Sequence, residues 1–147
     1  MVTNISTETE GSTRANIELD VHEIYKDLVE RSAESLENAP FFQQKDVFMW
    51  AVAVGYKNGK KQPLATGRTQ PFRWEQLSQD QDVPALQAIA IADTGDVEIL
   101  LHKDKILRIA EEYANAGIRI IKQDLVDQPG RLLWNLTDLV RRVQEMQ

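Results

Sequence analysis

The chain has 147 residues, of which 42% are hydrophobic and 27% are charged, and its formal net charge is −6. This length fits one domain whose core is large enough to fold without disulfides or metals. The lack of cysteine excludes disulfides, thiol catalysis and cysteine-ligated zinc, and the acidity argues against a protein whose whole surface binds nucleic acid.

Residues 1–16 are rich in Ser, Thr, Asn and Glu and bring few large apolar side chains to offset the entropy of ordering. We therefore predict a flexible tail over residues 1–16 and a single folded domain over residues 17–147. The start of the chain also lacks the basic-then-apolar pattern of a signal peptide. From Ile17 onward, apolar residues recur at three- and four-residue spacing, which predicts a helix to about Leu36.

The next segment is almost wholly apolar from Val47 to Tyr56. Such a run fits either a buried strand or a buried helix, and its Ala and Met content, with Asp46 near its start, favours the helix. It is about half of the ~20 residues that span a bilayer, so we expect a cytoplasmic protein. Asn58 and Gly59 then predict a turn, followed by an ordered or partly mobile loop over residues 60–70.

The second half of the chain is helical in pattern. Pro84 suits the first turn of a helix that Gly95 ends, and Asp96 suits the cap of a second helix with Gly117 just beyond its end. Residues 118–125 fit either a short strand or another helical turn, and an apolar stripe over residues 132–143 predicts a final helix. We predict an all-α, compact single domain of about five helices, with room for one short strand pair.

No constellation in the sequence predicts catalysis. Asp93, Thr94 and Gly95 copy the aspartic-protease triplet, but one copy in helical surroundings lacks the second carboxylate that this chemistry needs. Asp93, Asp96 and Glu98 could together hold a divalent cation, although capping of helix ends explains Asp96 and Glu98 as well. We therefore predict a protein that is not an enzyme and has no catalytic residues, no metal site and no cofactor.

A basic, aromatic segment follows the apolar run. Residues 47–74 contain five cations and no acid, so this window carries +5 and the rest of the chain −11. Cations flanked by rings suit either the phosphates and bases of DNA or an acidic protein surface. The predicted contact residues are Tyr56, Lys57, Lys60, Lys61, Arg68, Arg73 and Trp74.

Four phrases in order, KDVFMWAVAVGYKNGKKQPL, FRWEQL, IAIADTGDVEIL and KILRIAEEYANAGIRII, resemble the DNA phosphorothioation-associated protein 4 family, also called dnd system-associated protein 4. The resemblance runs from about Lys45 to Ile121. It implies an accessory of prokaryotic systems that place sulfur in the DNA backbone and restrict unmodified DNA. It carries no catalytic residues over to this chain.

These observations lead to one main hypothesis and one alternative. The main hypothesis is a non-enzymatic accessory protein of a phosphorothioation-linked anti-phage defence system that acts through a protein partner. The alternative is a small DNA-binding module that senses modified DNA or regulates the defence cluster. A third hypothesis is a metal-dependent enzyme around Asp93, Asp96 and Glu98.

Overall fold

A computed structural model describes residues 13–30, 43–65, 67–126, 140–142 and 144–145. The fold class is confirmed as helical with one short antiparallel strand pair. In chain order the main elements are β1 (Arg14–Glu18), α1 (Leu19–Glu30), α2 (Gln44–Lys57), β2 (Arg68–Arg73), α3 (Asp82–Thr94) and α4 (Lys103–Ile121). Short 3-10 helices span Trp74–Gln76 and Val97–Leu101, and a π-helical turn spans Lys122–Val126.

The centre of the fold is an antiparallel crossing of α2 and α4. The apolar run predicted as a buried helix is α2, in which Ala51 and Val52 are fully buried. A Cβ atom added to Gly55 would lie 2.1 Å from the Tyr113 carbonyl oxygen, and one added to Gly117 would lie 1.8 Å from that of Ala51. The two backbones therefore touch, and both positions require glycine.

The strand pair joins two segments that are distant in sequence. Arg14 lies opposite Arg73 and Glu18 opposite Arg68. Residues 14–16, which we had assigned to the flexible tail, belong to β1, and Ala15 is fully buried. This part of the prediction was wrong because β2 supplies hydrogen bonds and cover that local composition does not reveal. Residues 1–12 of the predicted tail and residues 132–139 of the predicted last helix lie outside the described residues.

The junction between α3 and α4 is partly as predicted. Gly95 ends α3 with φ +70°, and Asp96 Oδ1 accepts a hydrogen bond of 2.9 Å from the Glu98 N–H. However, the capped element is the short 3-10 helix, and α4 begins afresh at Lys103. Gly117 lies inside α4 rather than beyond its end. It is a glycine because its contact with α2 leaves no room for a side chain. The ambiguous residues from Ile118 onward are helical as far as Val126.

Candidate functional site

The basic loop after α2 is held by hydrogen bonds to backbone groups of α2 and α4 and to the side chain of Asn115 in α4. The Gln62 N–H donates to the Glu112 carbonyl at 3.0 Å, and Asn115 Nδ2 donates to the carbonyls of Gln62 and Pro63 at 3.2 and 3.3 Å. The Lys60 N–H donates to the Gly55 carbonyl at 2.9 Å. These bonds hold the first part of the loop in a defined position, so its side chains have a fixed base.

The structure does not bring all the predicted contact residues together. Lys57 and Lys60 are exposed near the C-terminal end of α2. The ring of Phe72 meets that of Phe48, with centroids 5.1 Å apart, so neighbouring Arg73 lies at the N-terminal end of α2. Lys57 comes nine positions after Phe48 in the helix, a rise of roughly 13 Å. The predicted patch is therefore divided.

Two other predicted contact residues serve the protein's own structure. Trp74 is 9% exposed and packs in the core, so its ring cannot stack on a ligand, and the prediction of Trp74 as a contact is corrected on this point. The guanidinium of Arg68 donates to the carbonyls of Ala65 and Leu64 at 3.0 and 3.3 Å, which braces the loop. The Arg68 guanidinium therefore stabilises the conformation of the loop.

Lys61 links the loop to α3 and α4. Its Nζ lies 3.0 Å from Asp93 Oδ1 and 5.6 Å from the ring centroid of Tyr113. The Tyr113 hydroxyl also donates to Asp93 Oδ1 at 2.7 Å, and the ring of Tyr56 meets that of Tyr113 edge-on at 5.4 Å. Asp93, a carboxylate near the C-terminal end of α3, thus accepts hydrogen bonds from two donors of other elements.

The same contacts shift two pKa values. Burial would raise the pKa of Asp93, but the hydrogen bonds from Tyr113 and Lys61 outweigh it and hold that pKa below its ordinary value. Burial, followed by the bond to Asp93, raises the pKa of Tyr113 to about 12. Asp93 is therefore a carboxylate at neutral pH and is engaged in structure.

A basic cleft lies between the loop and the C-terminal half of α4. It has a volume of about 440 Å³, and none of its lining side chains is acidic. Arg119 in its wall pairs with Glu18, while Arg119 Nε is buried and has no hydrogen-bond partner among the described residues. The lining consists of Gly59, Lys60, Lys61, Gln62, Ala116, Arg119, Ile120 and Gln123.

A second surface feature, the apolar turn, consists of Val97, Leu100 and Leu101 in the 3-10 helix after α3. These side chains are 66%, 40% and 79% exposed, whereas Ile99 between them is buried. We had predicted a continuous helix from the Asp96 cap to Gly117, and its period places all three side chains on the apolar face. That was wrong because the helix is interrupted, which rotates these positions away from the core.

A buried polar seam, which we had not predicted from the sequence, joins the other side of α4 to β1. Glu111 is 3% exposed, and its carboxylate accepts from the Asn16 N–H at 2.7 Å and pairs with Arg108 at 2.8 Å. Burial raises the pKa of Glu111 to about 7, although the Asn16 bond, Arg108 and Arg68 act to lower it. The available signal was the spacing of Glu111, Asn115 and Arg119, which places three polar residues on one helix face.

Comparison with known protein families shows to which family this chain belongs. The model of the family described as DNA sulphur modification system-associated protein 4 matches residues 14–146. The chain belongs to this family. Neither the curated proteins nor the solved structures contain a match.

Within the described parts of this family member, neither a metal centre nor a membrane helix is found. No three His, Asp or Glu side chains of those residues cluster closely enough to hold a metal ion, and this includes Asp93, Asp96 and Glu98. No helix among the same residues combines the length and apolar character that crossing a bilayer requires.

Proposed function

We propose that this protein is a non-enzymatic accessory of a DNA sulphur-modification system linked to anti-phage defence, and that it acts by binding a protein component of that system. Family membership supports the association with the system. The lack of a recognised catalytic motif in the sequence supports the non-enzymatic role. The observation that carries the protein-binding role is the apolar turn.

The apolar turn is suited to a protein partner because it is both exposed and firmly held. Clustered exposed apolar side chains on a soluble protein often mark interaction sites. Burial of one leucine side chain contributes about 1.5–3 kcal/mol. The turn is fixed by the Asp96 cap and by buried Ile99, so little conformational freedom is lost on binding.

The direct test is recovery of system components with the tagged protein from cells that carry the whole gene cluster. We expect a component of the system to be recovered with the wild type and lost with Leu101→Glu. Leu19→Glu is the matched control, since Leu19 is also exposed, at 53%, and the charge change is the same. Recovery of no component in gentle salt, or equal recovery with both variants, would contradict the proposal.

Direct DNA contact is a second candidate, which one observation favours. Lys57 and Lys60 are exposed and make no ion pair with any residue that the structure describes. This candidate requires duplex binding that falls steeply with salt and weakens when both lysines are changed to Gln. No binding at low salt, to modified or to plain DNA, would remove it.

A further inference from the structure

We propose that the basic cleft binds an acidic segment of the protein partner. In this arrangement carboxylates pair with Lys60 and with the cationic wall formed by Lys61 and Arg119, and an apolar side chain covers Ala116 and Ile120. This inference rests on the proposed function in that it assigns a second contact to the same partner. It is separate from the apolar turn and can fail independently of it.

The cleft is already formed in the free protein. Its volume of about 440 Å³ lies within the ~300–1,000 Å³ usual for ligand sites. The loop side is held by the backbone bonds of Lys60 and Gln62, and the other side is the rigid helix α4. A ligand therefore does not have to order the site before it binds.

The charges of the cleft favour an anion. Lys60 has no acidic partner among the described residues, and the acids paired with Lys61 and Arg119, namely Asp93 and Glu18, are not among the lining residues. Arg119 Nε is a buried donor with no acceptor in the described structure. Such donors are rare in folded proteins, and this one is out of reach of solvent, so the charge that the cleft offers to a ligand comes mainly from Lys60.

The shape and surroundings of the cleft favour carboxylates on a protein over the phosphates of DNA. Arg73 lies at the far end of α2 and Arg68 is engaged with the loop, so these two residues do not continue the basic cleft. The remainder of the chain, outside residues 47–74, carries −11 and would repel a long polyanion. The apolar part of the lining, Ala116 and Ile120, suits a side chain of a peptide.

The test measures fluorescence polarisation of a labelled glutamate-rich peptide containing leucine, alongside a labelled oligo-dT of equal charge. We expect the peptide to bind, and Lys60→Glu and Gln62→Glu each to weaken it at least about fivefold through like-charge repulsion. Gln62→Glu keeps the backbone bonds that hold the loop. Lys105→Glu, an exposed change of the same charge on α4, should alter affinity by less than about twofold.

Three results would overturn the inference: no peptide binding at low salt, peptide binding that both cleft variants leave unchanged, or tighter oligo-dT binding that the cleft variants abolish. Failure of the proposed function gives a different result. If a system component is recovered and is lost with Leu101→Glu but not with Lys60→Glu or Gln62→Glu, the partner role stands and the cleft inference falls. If the peptide binds at the cleft and no component is recovered, the cleft inference stands and the partner role falls.

Discussion

The two sides of α4 are buried in opposite ways. Toward α2, Gly117 brings backbone against backbone, and this face excludes any side chain at the crossing. Toward β1 and the loop, Glu111, Asn115 and Arg119 form the buried polar seam, in which each side chain bonds to β1 or to the loop. Gly117 lies two residues beyond Asn115, about 200° around the helix. The position of α4 against α2 is thus fixed by close packing, and its position against β1 and the loop by hydrogen bonds.

This difference shows how the site depends on the fold. The glycine crossing sets the position of α4, and the seam then uses α4 to hold β1 and the loop. The Asn115 side chain holds the loop by donating hydrogen bonds to two of its backbone carbonyls. Arg119 belongs both to the seam and to the wall of the basic cleft. The polar side of α4 is therefore continuous, through Arg119, with the basic cleft that we propose to be functional.

The largest expected effect is that of Gly117→Ala. The added Cβ would lie 1.8 Å from the Ala51 carbonyl oxygen, so the helices must separate. We expect a loss of at least about 3 kcal/mol in the free energy of unfolding, measured by urea denaturation. Helix propensity alone would give the opposite sign, a gain of about 1 kcal/mol.

Gly67→Ala is the control for this variant. The nearest atom there is the flexible end of the Leu19 side chain at 3.3 Å, and we expect a change within about 1 kcal/mol. A Gly117→Ala protein as stable as the wild type would show that the α2–α4 crossing is not as tight as described.

Glu111→Gln tests the polar side of the comparison. The pKa of Glu111 is about 7 in the folded protein against 4.5 for the ordinary group, so between these values the folded state binds more protons. The contribution of Glu111 to the free energy of unfolding therefore falls, by about 2 kcal/mol, as pH rises from about 4.5 to about 7. Glu111→Gln should abolish this part of the pH dependence, as measured by denaturation at several pH values.

The other charged groups around Glu111 do not change this sign. Arg108 and Arg68 act to lower the pKa of Glu111 and Glu112 acts to raise it, and the value of about 7 already includes these effects. The pKa of Asp93 is lowered, so its stabilising contribution is lost only as pH falls below about 4. An identical pH profile for wild type and Glu111→Gln would contradict the assignment of Glu111 as the titrating group.

Asp93→Asn should have a smaller effect, about 1 kcal/mol in the free energy of unfolding, because it removes the ion pair with Lys61 and weakens the bond from Tyr113. It should also lower the pKa of Tyr113 from about 12 toward its ordinary value of 10.0, although burial keeps part of the shift. Alkaline titration of tyrosine absorbance checks this. A Tyr113 pKa that does not move would mean that burial alone causes the shift.

The smallest effects are expected at the exposed surfaces. Leu101→Glu and Lys60→Glu should each change the free energy of unfolding by less than about 0.5 kcal/mol, since both side chains are exposed. Thermal denaturation of the purified variants provides the measurement. Larger losses would show that these residues belong to the folded structure and would remove them as probes of binding.

The local sequence pattern correctly predicted those elements that a run of apolar residues or a capping residue marks. The apolar run from Val47 was correctly interpreted as a buried helix, and Gly95 and Asp96 correctly marked an end and a cap. The same reasoning placed Val97, Leu100 and Leu101 on a buried face, because a continuous helical period hides an interruption. It also placed residues 14–16 in a tail, because the strand that pairs with them lies more than fifty residues away.

The sequence by itself determined the helical class, the position of the basic loop and the family of this protein, since each is recorded in runs of consecutive residues and in their order along the chain. The tertiary structure alone decided which cations share a surface, why Gly55 and Gly117 are glycines, and where Glu111 and Asp93 find their partners. These features depend on contacts between segments that are distant in the chain, and no local period records such contacts. The division of the predicted cationic patch and the formation of the basic cleft both follow from the way α4 packs between α2 and β1.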